Sequence, residues 1–262
     1  MTWNAKPGVE EKKGREDFFK PAKELELDVG LKILVWGPPE VGKTFFGLSA
    51  PPPIFALSTE FGVAPLLRHF PNKEIYIFEA AVIDPETNEP DANKSLEKIE
   101  EALGTLLNIT SGTILIDTGT DIWGWLGGWV EQEARRLGRM TRIETPVRTE
   151  WGRANIRWRQ LILRLMMTPA HFVITAQPQE VYDSSGNPLG EYRPRIQRQT
   201  EFMCDLVVHM DKVYEKGIVK PKYISKLTKC RFQRGLDTAI EDMTWDKLCE
   251  TLDKQLGVKV RR

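Results

Sequence analysis

The chain has 262 residues, 41% of them hydrophobic, and its 37 Lys and Arg balance 37 Asp and Glu. That length supports one core with decorations, its apolar runs are too short to span a bilayer, and a net charge of zero carries no global nucleic-acid signature. Cys204, Cys230 and Cys249 are odd in number and lack CxxC spacing, and His69, His171 and His209 are scattered, so neither a disulfide framework nor a zinc site is expected.

Residues 1–28 are polar and charged and are broken by Pro7, Gly8, Gly14 and Pro21, which predicts an N-terminal arm ahead of one domain over 29–262. The charges between Glu10 and Asp17 are incompatible with a signal peptide, so an intracellular, cytoplasmic protein is expected. The apolar run 31–36 reads as a strand ending at Gly37, and 44–50 as a short helix stopped by Pro51, Pro52 and Pro53. Strands are expected at 54–57 and 75–78, then a polar loop over 84–91. Leu96, Ile99, Leu103 and Leu107 give helical spacing over 93–108, followed by a short strand at 113–116 ending in Asp117.

Trp123, Trp125 and Trp129 follow Asp117 and suit either a core-facing segment or, with the arginines after them, a nucleic-acid surface. A helix is predicted over 151–167 with Ile156, Leu161, Leu163 and Leu165 available for burial, and a strand over 171–175. Residues 182–200 carry Ser184, Ser185, Gly186, Pro188, Gly190 and Pro194 and read as a long loop. A hairpin is expected from 206–214 and 223–228, turning at Lys216 and Gly217, and a last helix over 245–256. Eight arginines face four glutamates over 131–160, and eight basic residues face Glu215 over 212–234; each excess is either a phosphate-attracting patch or a solvated face. Short apolar strands alternating with helices predict an α/β fold with a mainly parallel sheet, helices on both faces and a C-terminal β-hairpin, with ligands at the strands' carboxyl ends.

Gly37-Pro38-Pro39-Glu40-Val41-Gly42-Lys43-Thr44 fits the G-x-x-x-x-G-K-[ST] pattern between a strand and a helix. In that context the loop's amides cradle phosphates, Lys43 neutralises the β- and γ-phosphates and Thr44 ligates Mg²⁺, so ATP with Mg²⁺ is the expected ligand. Asp117, at the end of its apolar strand, is the second expected Mg²⁺ residue. Thr118 follows it, where AAA+ ATPases carry a catalytic glutamate.

The strand 54–57 runs into Ser58-Thr59-Glu60, and here the chain resembles the RecA family. In that family a glutamate after the second strand polarises the attacking water, which makes Glu60 the expected base; the alternative is an exposed loop glutamate. Ala176-Gln177 resembles the Asn-Gln pair of the strand-exchange proteins in its second residue, which gives Gln177 the role of γ-phosphate sensor. The segment after Gln177 stands where those proteins have a DNA-binding loop, so Arg193, Arg195 and Arg198 are candidate single-stranded DNA contacts; an ordinary surface hairpin is the alternative. Lys229-Cys230-Arg231-Phe232 resembles the Lys-x-Arg-Phe segment of RecA-like hexameric helicases, which makes Lys229 and Arg231 candidate fingers for a neighbouring subunit's site; a basic edge strand is the alternative. The resemblance covers residues 31–235 and looks closest to the short phage and archaeal RecA-type ATPases of recombination or annealing. It implies a RecA-like P-loop core, a homo-oligomeric ring or filament and a DNA-stimulated ATPase, in the host cytoplasm for a phage-encoded chain. A small-molecule kinase and an ATP-dependent switch or loader without nucleic acid are the competing readings.

Overall fold

The structure is a computed structural model that describes residues 30–214, 220–234, 238–257 and 260. The expected arm over 1–28 and the turn at Lys216 and Gly217 lie outside the described residues.

Among the described residues ten strands form in chain order. Lys32–Trp36 (β1), Ile54–Ser58 (β2), Ile75–Glu79 (β3), Thr113–Asp117 (β4) and His171–Ala176 (β5) lie close to the predicted positions. They are followed by Pro178–Tyr182 (β6), Pro188–Pro194 (β7), Leu206–Val213 (β8), Lys222–Cys230 (β9) and Ala239–Glu241 (β10). Eight of these make one sheet in the order β10-β9-β8-β1-β5-β4-β2-β3. From β8 to β3 all pairings are parallel, while β9 and β10 add antiparallel. The central strands β1, β4 and β5 are buried along their whole length, as a sheet covered on both faces requires. β10 covers β9 only from Ile224 to Lys226, so Lys229, which pairs with Val207 of β8, has no strand on its other side among the described residues.

The helices cover both faces. On one side Lys43–Ser49 (α1) packs with the C-terminal helix Trp245–Leu256 (which becomes α6 in chain order) over Ile33, Val35 and Leu115. Phe46 and Trp245, both essentially inaccessible, meet there with ring centroids 6.0 Å apart. Burying each ring is worth about 1.5–3 kcal/mol or more. On the other side lie Ala92–Leu106 (α2), Gly119–Arg136 (α3) and Glu150–Trp158 (α4), the last extended by a π-helical turn over Arg159–Leu163 and a final turn over Arg164–Met166. A short helix, Thr200–Met203 (α5), precedes β8.

One open alternative closes in favour of the core, and two expectations need correction. First, the tryptophan-rich segment after Asp117 is α3. Ile122, Trp125, Leu126, Val130 and Ala134 recur at helical spacing and are buried, while Trp123 and Trp129 pack partly against the same core. Second, Ile156 and Leu163 are not core residues. The buried face of α4 and its extension runs through Ala154, Trp158, Leu161, Ile162 and Leu165, which leaves Ile156 58% and Leu163 39% exposed. Ile156 stands two residues, about 200° round the helix, from both Ala154 and Trp158. Trp158 fixes the rotation, because its indole N–H donates to Thr200 Oγ1 at 3.1 Å. Third, residues 182–200 are not one loop. β6 and β7 pair antiparallel from Pro178 opposite Pro194 to Tyr182 opposite Pro188. Their turn is held by the Asp183 carboxylate, which accepts from the backbone N–H of Ser185 and of Asn187, each at 2.8 Å.

Candidate functional site

The P-loop leaves the carboxyl end of β1 and turns into α1. Gly37 (φ 152°) approaches the next strand so closely that a Cβ would stand 2.0 Å from the Met210 carbonyl oxygen. Gly42 (φ 93°) has open space around it and needs glycine for its left-handed backbone alone. Lys43 Nζ turns back on its own loop and donates to the carbonyls of Gly37 (2.8 Å) and Pro38 (2.6 Å). Burial lowers the Lys43 pKa from its ordinary value, and the charges of Asp117 and Glu60 oppose that shift.

Parallel pairing places Ser58 at the end of β2 opposite Asp117 at the end of β4, and this register assembles the acidic side of the site. Asp117 Oδ2 accepts from the Thr44 hydroxyl at 2.9 Å and Oδ1 from the Thr175 hydroxyl at 2.5 Å. Burial raises its carboxyl pKa, partly offset by those two hydroxyls and by Lys43. Thr59 joins the strands again: its backbone N–H donates to the Asp117 carbonyl (2.7 Å), its hydroxyl donates to Asp121 Oδ2 (2.6 Å) and accepts from the Thr118 N–H (2.8 Å). Glu60 follows directly, and the Gln177 side-chain amide donates to its Oε1 at 2.5 Å. Glu60 is exposed as a residue, but partial desolvation of its carboxylate in the cavity, then the charges of Asp121 and Asp117, raise its pKa, while the Gln177 bond and Lys43 pull it down.

Lys43, Thr44, Glu60, Asp117, Thr118 and Gln177 thus line one cavity of about 670 Å³, with Pro39, Glu40 and Gly42 from the loop. Five residues singled out from distant parts of the sequence therefore share one space. The donors fit a hard cation held together with phosphates. Thr44 Oγ1 and the Asp117 carboxylate are oxygen ligands already in contact, and no cluster of three or more His, Cys, Asp or Glu stands among the described residues to cage a metal without substrate oxygens. Asp121, Thr59 and Thr175 complete the site and had no signal in the sequence, since each is a lone polar residue beside a motif.

The remaining predicted residues lie elsewhere. Arg193 is half-buried on β7, and Arg195 and Arg198 are exposed just beyond it. The base of this hairpin is tied to the cavity. Arg195 N–H donates to the Gln177 carbonyl (2.7 Å), and the Thr120 hydroxyl donates to the Arg195 carbonyl (2.9 Å) and accepts from the Gln177 N–H (2.9 Å). Lys229 and Arg231 sit near the start of β8, where Arg231 N–H donates to the Asp205 carbonyl at the end of the sheet away from the P-loop. Lys229 Nζ donates to the carbonyls of Glu201, Phe202 and Cys204 at 2.6–3.1 Å, and Arg231 to those of Phe202 and Met203 and to the Asp205 carboxylate at 2.8 Å. Both side chains therefore close the C-terminal end of α5 within their own chain.

A family model described as an AAA domain matches residues 29–235, most of the chain. The chain belongs to the AAA domain family. Membership points to a nucleotide-binding P-loop ATPase, in a family that generally uses ATP and Mg²⁺ and whose domains often oligomerise. The mostly parallel sheet of this AAA domain agrees with a P-loop NTPase core. No curated protein matches it. Among the described residues no helix is long and apolar enough to cross a membrane.

Proposed function

We propose that this AAA-domain protein is a Mg²⁺-dependent ATPase with a RecA-like division of labour, and that single-stranded DNA is its effector. The observation that carries the reading is the 2.5 Å bond between Gln177 Nε2 and Glu60 Oε1 inside the cavity that also holds Lys43, Thr44 and Asp117. In this AAA domain Thr118 occupies the position after Asp117, so the base must come from another strand end, and Glu60 is the carboxylate placed to serve. Its raised pKa makes it a stronger proton acceptor than an ordinary glutamate.

In the proposed reaction Lys43 exchanges its loop carbonyls for phosphate oxygens. Thr44 and Asp117 hold Mg²⁺, which supplies positive charge against the phosphoryl oxygens. Glu60 orients a water and takes its proton as the water oxygen bonds to the γ-phosphorus and the bond to the β–γ bridging oxygen breaks, giving ADP and phosphate. Gln177 stands between the reacting end and the β6–β7 hairpin. A change at Glu60 reaches Arg193, Arg195 and Arg198 through the Gln177 backbone, Thr120 and Arg195. Single-stranded DNA bound on those arginines favours the Gln177 position suited to hydrolysis, and by reciprocity ATP strengthens DNA binding. A role in recombination or annealing follows from an ATP-gated single-strand binder of this kind. The test is the rate of phosphate release with and without single-stranded DNA: stimulation supports the reading, and an unchanged rate together with no DNA binding at low salt returns the site to a kinase or a switch.

A further inference from the structure

A groove of about 540 Å³ lies on the helical layer of α2, α3 and α4 and shares no lining residue with the P-loop cavity. It is lined by Glu100 of α2, Trp129 of α3, and Arg153, Ile156, Arg157 and Gln160 of α4 and its extension. We infer that this groove docks an acidic segment of a partner protein that carries a bulky apolar side chain. Its carboxylates meet Arg153 and Arg157, and its apolar group rests on Ile156. The inference is independent of the ATP-site reading.

Residues 153, 156, 157 and 160 recur at spacings of three and four, so they form one stripe of the helix. Ala154, Trp158, Leu161 and Leu165 form the buried stripe. Arg153 Cζ stands 5.3 Å and Arg157 Cζ 4.8 Å from the centre of the Trp129 ring. A guanidinium held against an indole is fixed in place and keeps its N–H edge for a carboxylate. Both arginines already take carboxylates of this chain: Arg157 Nε meets Glu100 at 2.7 Å and Arg153 Nη1 meets Glu150 at 3.2 Å. Among the described residues neither Nη group of Arg157 donates a hydrogen bond, so donors remain for a second carboxylate.

Charge and apolarity together select the occupant. Eight arginines face four glutamates over 131–160, which favours an acidic partner. Ile156 is exposed between the two arginines in sequence and lines the same groove, and an apolar side chain gains from burying it where a phosphate does not. Trp129 stands against the two guanidiniums and packs partly on the core, so its ring is engaged where a nucleic-acid base would stack. Gln160 belongs to the π-helical turn, an irregularity often found at functional sites.

The probe is a fluorescein-labelled, aspartate-rich peptide bearing two leucines, titrated with the full chain at low salt and read by fluorescence anisotropy. The parent should bind it, and a peptide with serine in place of the leucines should bind about 5- to 30-fold more weakly. Arg153→Gln, Arg157→Gln and Ile156→Ser should each weaken the leucine peptide about 3- to 10-fold. Glu100→Gln should tighten it about 2- to 5-fold, because Arg157 Nε is freed from a competing carboxylate, and a damaged fold cannot produce that gain. The inference is overturned if the parent does not bind the peptide, if the four substitutions leave its affinity unchanged, or if the serine peptide binds as tightly as the leucine peptide. A single-stranded oligonucleotide that displaces the peptide and loses affinity equally in the same variants would make the groove a nucleic-acid surface. A smaller oligomer for Ile156→Ser than for the parent, measured by light scattering, would assign the groove to a second copy of the chain. Either result overturns the acidic partner.

Discussion

Glu60→Gln removes one carboxylate while keeping the side chain's length and one acceptor oxygen. The Gln177 amide can still donate to that oxygen, so the 2.5 Å bond persists in neutral form. Exchanging a charge-assisted bond for a neutral one costs about 1 kcal/mol, and Glu60 is an exposed residue, so the fold is barely affected. The substitution also removes a charge that sits near Asp121 and Asp117, whose repulsion adds to burial in raising the Glu60 pKa. Nucleotide affinity should therefore hold or rise slightly. Hydrolysis should not. A positioned base contributes about 10²–10⁴-fold, or about 3–5 kcal/mol of barrier at about 1.4 kcal/mol per decade. The assay is single-turnover hydrolysis of ATP, with analogue binding measured in parallel on the same preparation. The parent's rate should also fall on the acid side at a pH above the ordinary glutamate value, because protonated Glu60 cannot accept the water's proton, and that limb should be missing from the variant. A Glu60→Gln protein that hydrolyses within about twofold of the parent, with intact binding, would refute the assignment of the base.

Gln177→Ala removes a bond that lowers the Glu60 pKa, so the acid limb of the rate profile should move to higher pH, and the DNA dependence of the rate should vanish. Asp117→Asn should abolish Mg²⁺-dependent ATP binding yet raise the thermal midpoint of the nucleotide-free protein near neutral pH. The sign follows from burial. A carboxyl whose folded pKa lies above its unfolded one costs stability as pH rises past the unfolded value, so the variant's advantage should shrink as pH falls below the usual carboxylate range. Changing Arg193, Arg195 and Arg198 together to Ala should weaken single-stranded DNA binding and flatten the log–log salt slope by about 2, given about 0.7 per phosphate contact. Arg231→Ala should cost about 1 kcal/mol of stability through the end of α5 and keep its own turnover; a loss of turnover that an added Lys43→Ala subunit restores would mark Arg231 as a trans finger.

The P-loop was legible because its backbone course is written in its glycines and followed by Lys43 and Thr44. Glu60, Asp117 and Gln177 were legible because each ends an apolar strand, and parallel strands deliver such ends to one edge of the sheet. Residues whose importance depends on register were not legible. Thr59, Asp121 and Thr175 meet Asp117 or Glu60 through β2, α3 and β5, and nothing local to them announces that meeting. α3 was hidden because Gly124, Gly127 and Gly128 interrupt its apolar spacing, and its stability comes from packing against the sheet. The β6–β7 hairpin was legible only as an alternative, because its turn-forming residues outweigh its short strands. Lys229 and Arg231 have contacts of the same register-dependent kind. The carbonyls they bond lie 25–29 residues earlier in the same chain, brought close by the β8–β9 pairing.

The most direct measurement of the central claim is phosphate release from ATP and Mg²⁺ by the parent and by Lys43→Ala, each with and without single-stranded DNA. The account predicts turnover by the parent, a higher rate with DNA, and no turnover above background by Lys43→Ala under either condition. Equal rates for parent and variant would contradict it.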